Sequence, residues 1–161
     1  MSTKTKHGFT LIELIVVFAI IALLTTVVIA SLNNARQKGS DAGKIRALAE
    51  VRNALNVYFN DSMGGNGTYP GGNDLTILVT KKYITGSIDS NIKYQGTNAA
   101  GTACNSGTGC ASYHLAVPLT DMDNKVLASD KDSMGGNING KYNCGPVTTP
   151  ITPDSCYDIT P

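Results

Sequence analysis

Apolar residues are gathered unevenly along the chain. From Phe9 to Leu32 they run nearly unbroken over 24 positions, enough to cross a bilayer as an α-helix. Glu13 is the only charged residue in that run. Beyond it the pattern turns periodic: Ile45, Leu48, Val51, Leu55 and Tyr58 recur at three- and four-residue spacing. That spacing predicts an apolar stripe on one helix face, with Arg46, Glu50 and Arg52 largely off it. No proline falls between Phe9 and Asn60, so one helix is expected across both stretches. Gly39 and Gly43 are its soft points.

The helix is expected to end at Asp61-Ser62-Met63-Gly64-Gly65-Asn66-Gly67, residues that favour turns and left-handed backbone. After Tyr69-Pro70-Gly71-Gly72, Asn73 or Asp74 can cap a short helix through Leu75, Leu78 and Val79, stopping near Gly86. Tyr113, Leu115 and Val117 alternate with His114 and Ala116, the pattern of a half-buried strand. Lys125 to Ala128 is expected to return as its partner, with shorter strands at Ile92–Tyr94 and Cys156–Ile159. The fold class read from this is α+β: a long amino-terminal helix packed against a small antiparallel β-sheet head. Four segments follow: 1–8, a basic leader; 9–32, the apolar half of the helix; 33–60, its amphipathic half; and 61–161, a loop-rich head.

Asp61-Ser62-Met63-Gly64-Gly65-Asn66 recurs as Asp132-Ser133-Met134-Gly135-Gly136-Asn137. Two copies so far apart define no repeat architecture, and both read as glycine-rich turns.

Charge adds little for the whole chain, which is +1 at neutral pH; no nucleic-acid partner is implied. Cysteine adds more. Cys104, Cys110, Cys144 and Cys156 all lie in the head, as expected of an exported domain with disulfides. Three connectivities are open. Glycine-rich chain within the first pair and prolines within the second make the local pairs Cys104–Cys110 and Cys144–Cys156 the easiest to close.

The segment Gly8-Phe9-Thr10-Leu11-Ile12-Glu13 resembles the processing signal of type IV pilin and pseudopilin precursors, and it fits that motif at every position. The resemblance covers few residues but is specific. Lys4, Lys6 and His7 before it and the apolar helix after it add support. It implies cleavage after Gly8 by a prepilin peptidase and N-methylation of the new terminal residue, Phe9. It also implies a role for Glu13 in assembly. The physical sense is plain: a freed α-amine on Phe9 is cationic near pH 7. In the low dielectric between packed helices it can pair with Glu13 of a neighbour.

Two other readings account for less. A secretory signal has a shorter apolar core and a small-residue cleavage site, and gives Glu13 no role. A plain membrane anchor leaves a carboxylate in the membrane without a partner. The expected function is therefore a structural subunit of a type IV pilus-like surface filament, polymerised through its amino-terminal helix. The alternatives within the family are a pseudopilin of a secretion or DNA-uptake machine, or a minor pilin or adhesin with a binding head. The expected partners are other copies of the chain, the prepilin peptidase and methyltransferase, the assembly machinery and the cytoplasmic membrane. The precursor would hold its leader inside and its head outside. The positive-inside rule opposes this, because Arg36, Lys38, Lys44 and Arg46 follow the apolar run. The processing motif and the exported cysteines outweigh it.

Other chemistry has little footing, and neither catalysis nor a cofactor is expected. His114 is placed at the polar phase of a strand with no paired carboxylate near it in sequence. Zinc is not expected, since the cysteine intervals exceed usual zinc spacing. Asp121, Asp123 and Asn124 offer oxygen ligands for calcium, as do Asp130 and Asp132. The expected strand between the two groups would hold them about 17 Å apart, and neither group alone supplies enough ligands. They read as solvated turn acids.

Overall fold

The computed structural model describes residues 9–105, 107–129, 137–138, 142–143 and 156–161. The chain divides into two compact units, Met1–Gln37 and Lys38–Pro161. Helix α1, Leu11–Asn60, supplies the described helical residues of the first unit and the opening helix of the second.

In the first unit the helix carries its apolar side chains outward. Phe9 is 88 % exposed, and Leu14, Phe18, Ile21, Leu24 and Val28 are all more than half exposed. Midway along it, Thr25 and Thr26 turn their hydroxyls back on the helix: Thr25 Oγ1 donates to Ile21 O at 2.7 Å and Thr26 Oγ1 to Leu23 O at 2.8 Å. The backbone and these hydroxyls are thus satisfied internally, as a lipid environment demands. The helix is long and apolar enough to cross a membrane.

In the second unit the predicted stripe is the core-facing side of α1. Leu48, Val51, Ala54, Leu55 and Tyr58 are buried, whereas Arg46, Glu50 and Arg52 are exposed. They pack on a three-stranded antiparallel sheet of β1 (Lys93–Thr97), β2 (Ser112–Pro118) and β5 (Cys156–Ile159), with β2 in the centre. Side chains alternate across a strand. Tyr113, Leu115 and Val117 of β2 therefore share the core face with Tyr94 of β1, and all four are buried. A two-stranded ribbon, β3 (Asn137–Ile138) with β4 (Tyr142–Asn143), completes the described strands. The fold is α+β, with the long helix against a small antiparallel sheet.

Three expectations change in detail. Lys125–Ser129 forms a 3-10 helix, not the partner strand of β2. Asp121 and Asn124 wind the chain there: Asn124 N donates to Asp121 O, Leu127 N to Asn124 O, and Val126 N to the Asn124 side chain. The second edge of β2 is taken by β5, with Ala116 opposite Asp158 and Pro118 opposite Cys156.

Helix α2 is shorter than expected, Thr76–Thr80. Lys82 takes a left-handed conformation (φ 62°), and Tyr83 N and Ile84 N both return to Leu78 O, which closes the helix end. The cap position is Leu75, which gives no side-chain cap bond, not the expected Asn73 or Asp74; Asp74, one residue earlier, accepts from Thr76 N at 2.9 Å.

The third change concerns β2, which is buried on both faces. His114 is 3 % exposed and Ala116 is fully buried. His114 Nε2 meets the buried carboxylate of Asp158 across the β2–β5 pair. The expectation of a polar-phase histidine with no carboxylate partner is therefore corrected. Asp158 lies 44 residues away in sequence and only strand pairing brings it near. The second copy of the Asp-Ser-Met-Gly-Gly-Asn segment lies, but for Asn137, outside the described residues.

Candidate functional site: the amino-terminal helix start

Leu11 is the first helical residue, which makes Thr10 its cap. The first turn of a helix leaves backbone N–H groups without helical acceptors. Glu13 N donates to Thr10 Oγ1 at 3.3 Å. In return Glu13 Oε2 accepts from Thr10 N and from Thr10 Oγ1, each at 2.8 Å. This is a reciprocal capping box, and the Glu13 carboxylate also lies at the positive end of the helix dipole. Within one chain Glu13 therefore has a partner, which the sequence reading did not assign. The Thr-x-x-Glu spacing ahead of an apolar run was the available signal.

The box fixes where the carboxylate points. It is held back toward the amino terminus, at the backbone of residue 10, one peptide from Phe9. Phe9 itself is non-helical and exposed. Gly8 and the leader lie outside the described residues.

In the head, Cys104 and Cys110 are joined in a disulfide. The closed loop is stitched at both ends, because Tyr69 and Cys110 exchange backbone hydrogen bonds and Gly72 N donates to Cys104 O. Cys156 is buried and disulfide-bonded; Cys144 lies outside the described residues. Asp121 and Asn124 use side-chain oxygens on local amides, those of Asp123 and Val126. Asp130 and Asp132 lie outside the described residues.

A more consequential carboxylate was not singled out from sequence. Asp41 is fully buried. It accepts from Thr120 N at 2.9 Å, from Asp121 N at 2.7 Å and from Lys44 Nζ at 3.2 Å. Lys44 Nζ donates further to Pro118 O at 2.9 Å. Burial pushes the Asp41 carboxyl up, but the amides of Asp121 and Thr120, with Lys44, outweigh it and hold it below the ordinary aspartate value of 3.8. This cluster pins the loop after β2 onto α1.

Residues 3–29 match a family model described as the prokaryotic N-terminal methylation motif. No curated protein matches the chain, and no solved structure matches it. The matched residues include the capping box and most of the exposed apolar helix, and they stop short of the head. The chain thus carries at its amino terminus the prepilin-type cleavage and methylation motif found in type IV pilin-like precursors.

Proposed function

We propose that the chain is a structural subunit of a type IV pilus-like surface filament. It is cleaved after Gly8, methylated on Phe9 and polymerised through α1. One observation carries most of this reading. A matched methylation motif leads into a helix whose large apolar side chains from Leu11 to Ile29 are exposed, with a single carboxylate at its start. Apolar surface of that extent belongs in a membrane or against other helices. Polymerisation moves it from the first setting to the second, and the Phe9 amine of one subunit then meets Glu13 of another. The precursor is membrane-anchored, with its head exported.

Shearing of the producing cells tests the filament reading. The chain is expected as an abundant component of sheared surface fibres. Its confinement to the membrane, with only trace amounts in fibres, would favour a pseudopilin or minor subunit.

The head's second disulfide belongs to the same reading. Cys156 is disulfide-bonded, and we infer that its partner is Cys144. Closing a loop of that size is worth about 3 kcal/mol by the chain-entropy relation. A non-reducing peptide map should join the peptides of Cys144 and Cys156, and Cys144→Ser should weaken the head by about that amount. Crossed pairs, or a free thiol at Cys144, would contradict this.

A further inference from the structure

The head carries a cleft of about 360 Å³, within the size range of small-molecule sites. Its walls come from four places: Tyr58 in α1, the segment Thr68–Gly71, the start of α2 at Asp74 and Thr76, and the disulfide-closed loop at Gly107–Gly109. Close approach of these walls depends on glycine. A Cβ at Gly71 would collide with Asn105 O and Thr108 O, and one at Gly109 would collide with the Thr68 side chain. The Cys104–Cys110 disulfide and its backbone bonds to residues 69 and 72 hold the far wall in place, so little ordering is left for a ligand to impose.

The threonines of the lining are one-sided in their hydrogen bonding. Thr68 Oγ1 donates to Gly65 O at 2.6 Å, Thr76 Oγ1 to Asp74 Oδ2 at 2.7 Å, and Thr108 Oγ1 to Asn105 O at 2.7 Å. Each of these three threonine protons is committed to the protein, which leaves oxygen lone pairs as acceptors. Asp74 adds a carboxylate and is the only charged residue among the described residues of the lining. Its bonds from the Thr76 side chain and amide hold its carboxyl below the ordinary range, so it is ionised at neutral pH. A phosphate or carboxylate ligand would meet acceptors and a negative charge. Tyr58 and Tyr69 add aromatic carbon to the same walls.

A ligand for this cleft must bring several donors together with apolar C–H surface, and the described lining residues hold no second carboxylate to favour a cation. We propose that the cleft binds a neutral saccharide, its hydroxyls donating to Asp74, Thr76 and Thr108 and its C–H face resting on tyrosine. This is independent of polymerisation, because every wall belongs to one head.

Saturation-transfer NMR on the detergent-solubilised full chain tests it, with glucose, galactose, N-acetylglucosamine and N-acetylgalactosamine as probes. At least one sugar should receive saturation. Asp74→Ala and Thr108→Val should each reduce its binding about tenfold, a loss of about 1.4 kcal/mol. Thr108→Val replaces an exposed side chain and spares the α2 cap, so circular dichroism should show an intact head. The proposal is overturned if no sugar binds at tens of millimolar, if both variants bind like the wild type, or if ethanolammonium binds and the sugars do not.

Discussion

Glu13→Gln is expected to yield membrane-inserted, disulfide-bonded subunits that form few or no filaments. The substitution is well suited to isolating charge, because glutamine serves at the same place in a capping box. Thr10 N can still donate to the residue 13 side chain, so the helix start should persist. What is lost is the anion that the proposed filament pairs with the Phe9 amine of a neighbouring subunit. Removing one partner of a charge pair in a low-dielectric interface costs about 3 kcal/mol, which is about a hundredfold in each subunit contact. Glu13→Asp keeps the charge on a shorter arm and should retain more filament. The readout is sheared filament set against membrane monomer for each variant. A normal filament yield from Glu13→Gln would show that charge does not position the subunit. A loss of monomer as well would point to insertion or folding instead.

Asp41→Ala should be among the most damaging single changes to the head. It removes the acceptor for the amides of Thr120 and Asp121 and for Lys44. Hydrogen bonds to a charged group are worth more than neutral ones, and here the charge they satisfy is itself buried. A loss of about 2–4 kcal/mol follows. The Asp41 carboxyl is depressed in the folded state, and the sign of the pH dependence comes from that. Its contribution is fully present above the ordinary aspartate value of 3.8 and fades as pH falls through the lower folded value. Urea unfolding followed by tyrosine circular dichroism should show the wild type and Asp41→Ala far apart at pH 7. The gap should narrow below about pH 4. Equal stabilities at pH 7, or a gap that widens in acid, would contradict the role given to Asp41.

The parts of this molecule legible in its sequence are those whose causes are local. The stripe from Leu48 to Tyr58 is a matter of helical phase, and the same residues form the buried side of α1. The apolar run and its motif are contiguous, and so is the Thr-x-x-Glu box, which was there to be read and was passed over.

What was missed depends on pairing between distant segments. Lys125–Ala128 has the composition of a strand, but a short Asp-Asn turn binds its amides first and β5 fills the edge it would have taken. His114 alternates with apolar neighbours and so reads as solvent-facing, yet its strand is central and Asp158 arrives from the far end of the chain. Asp41 looks like an ordinary helix-surface acid until residues 79 and 80 positions later are folded against it.

The intact mass of the chain recovered from sheared surface filaments tests the central claim most directly. A species that begins at Phe9, carries one added methyl group and retains its disulfides is the predicted result. A chain that keeps residues 1–8, or that begins near Ser31, would contradict it.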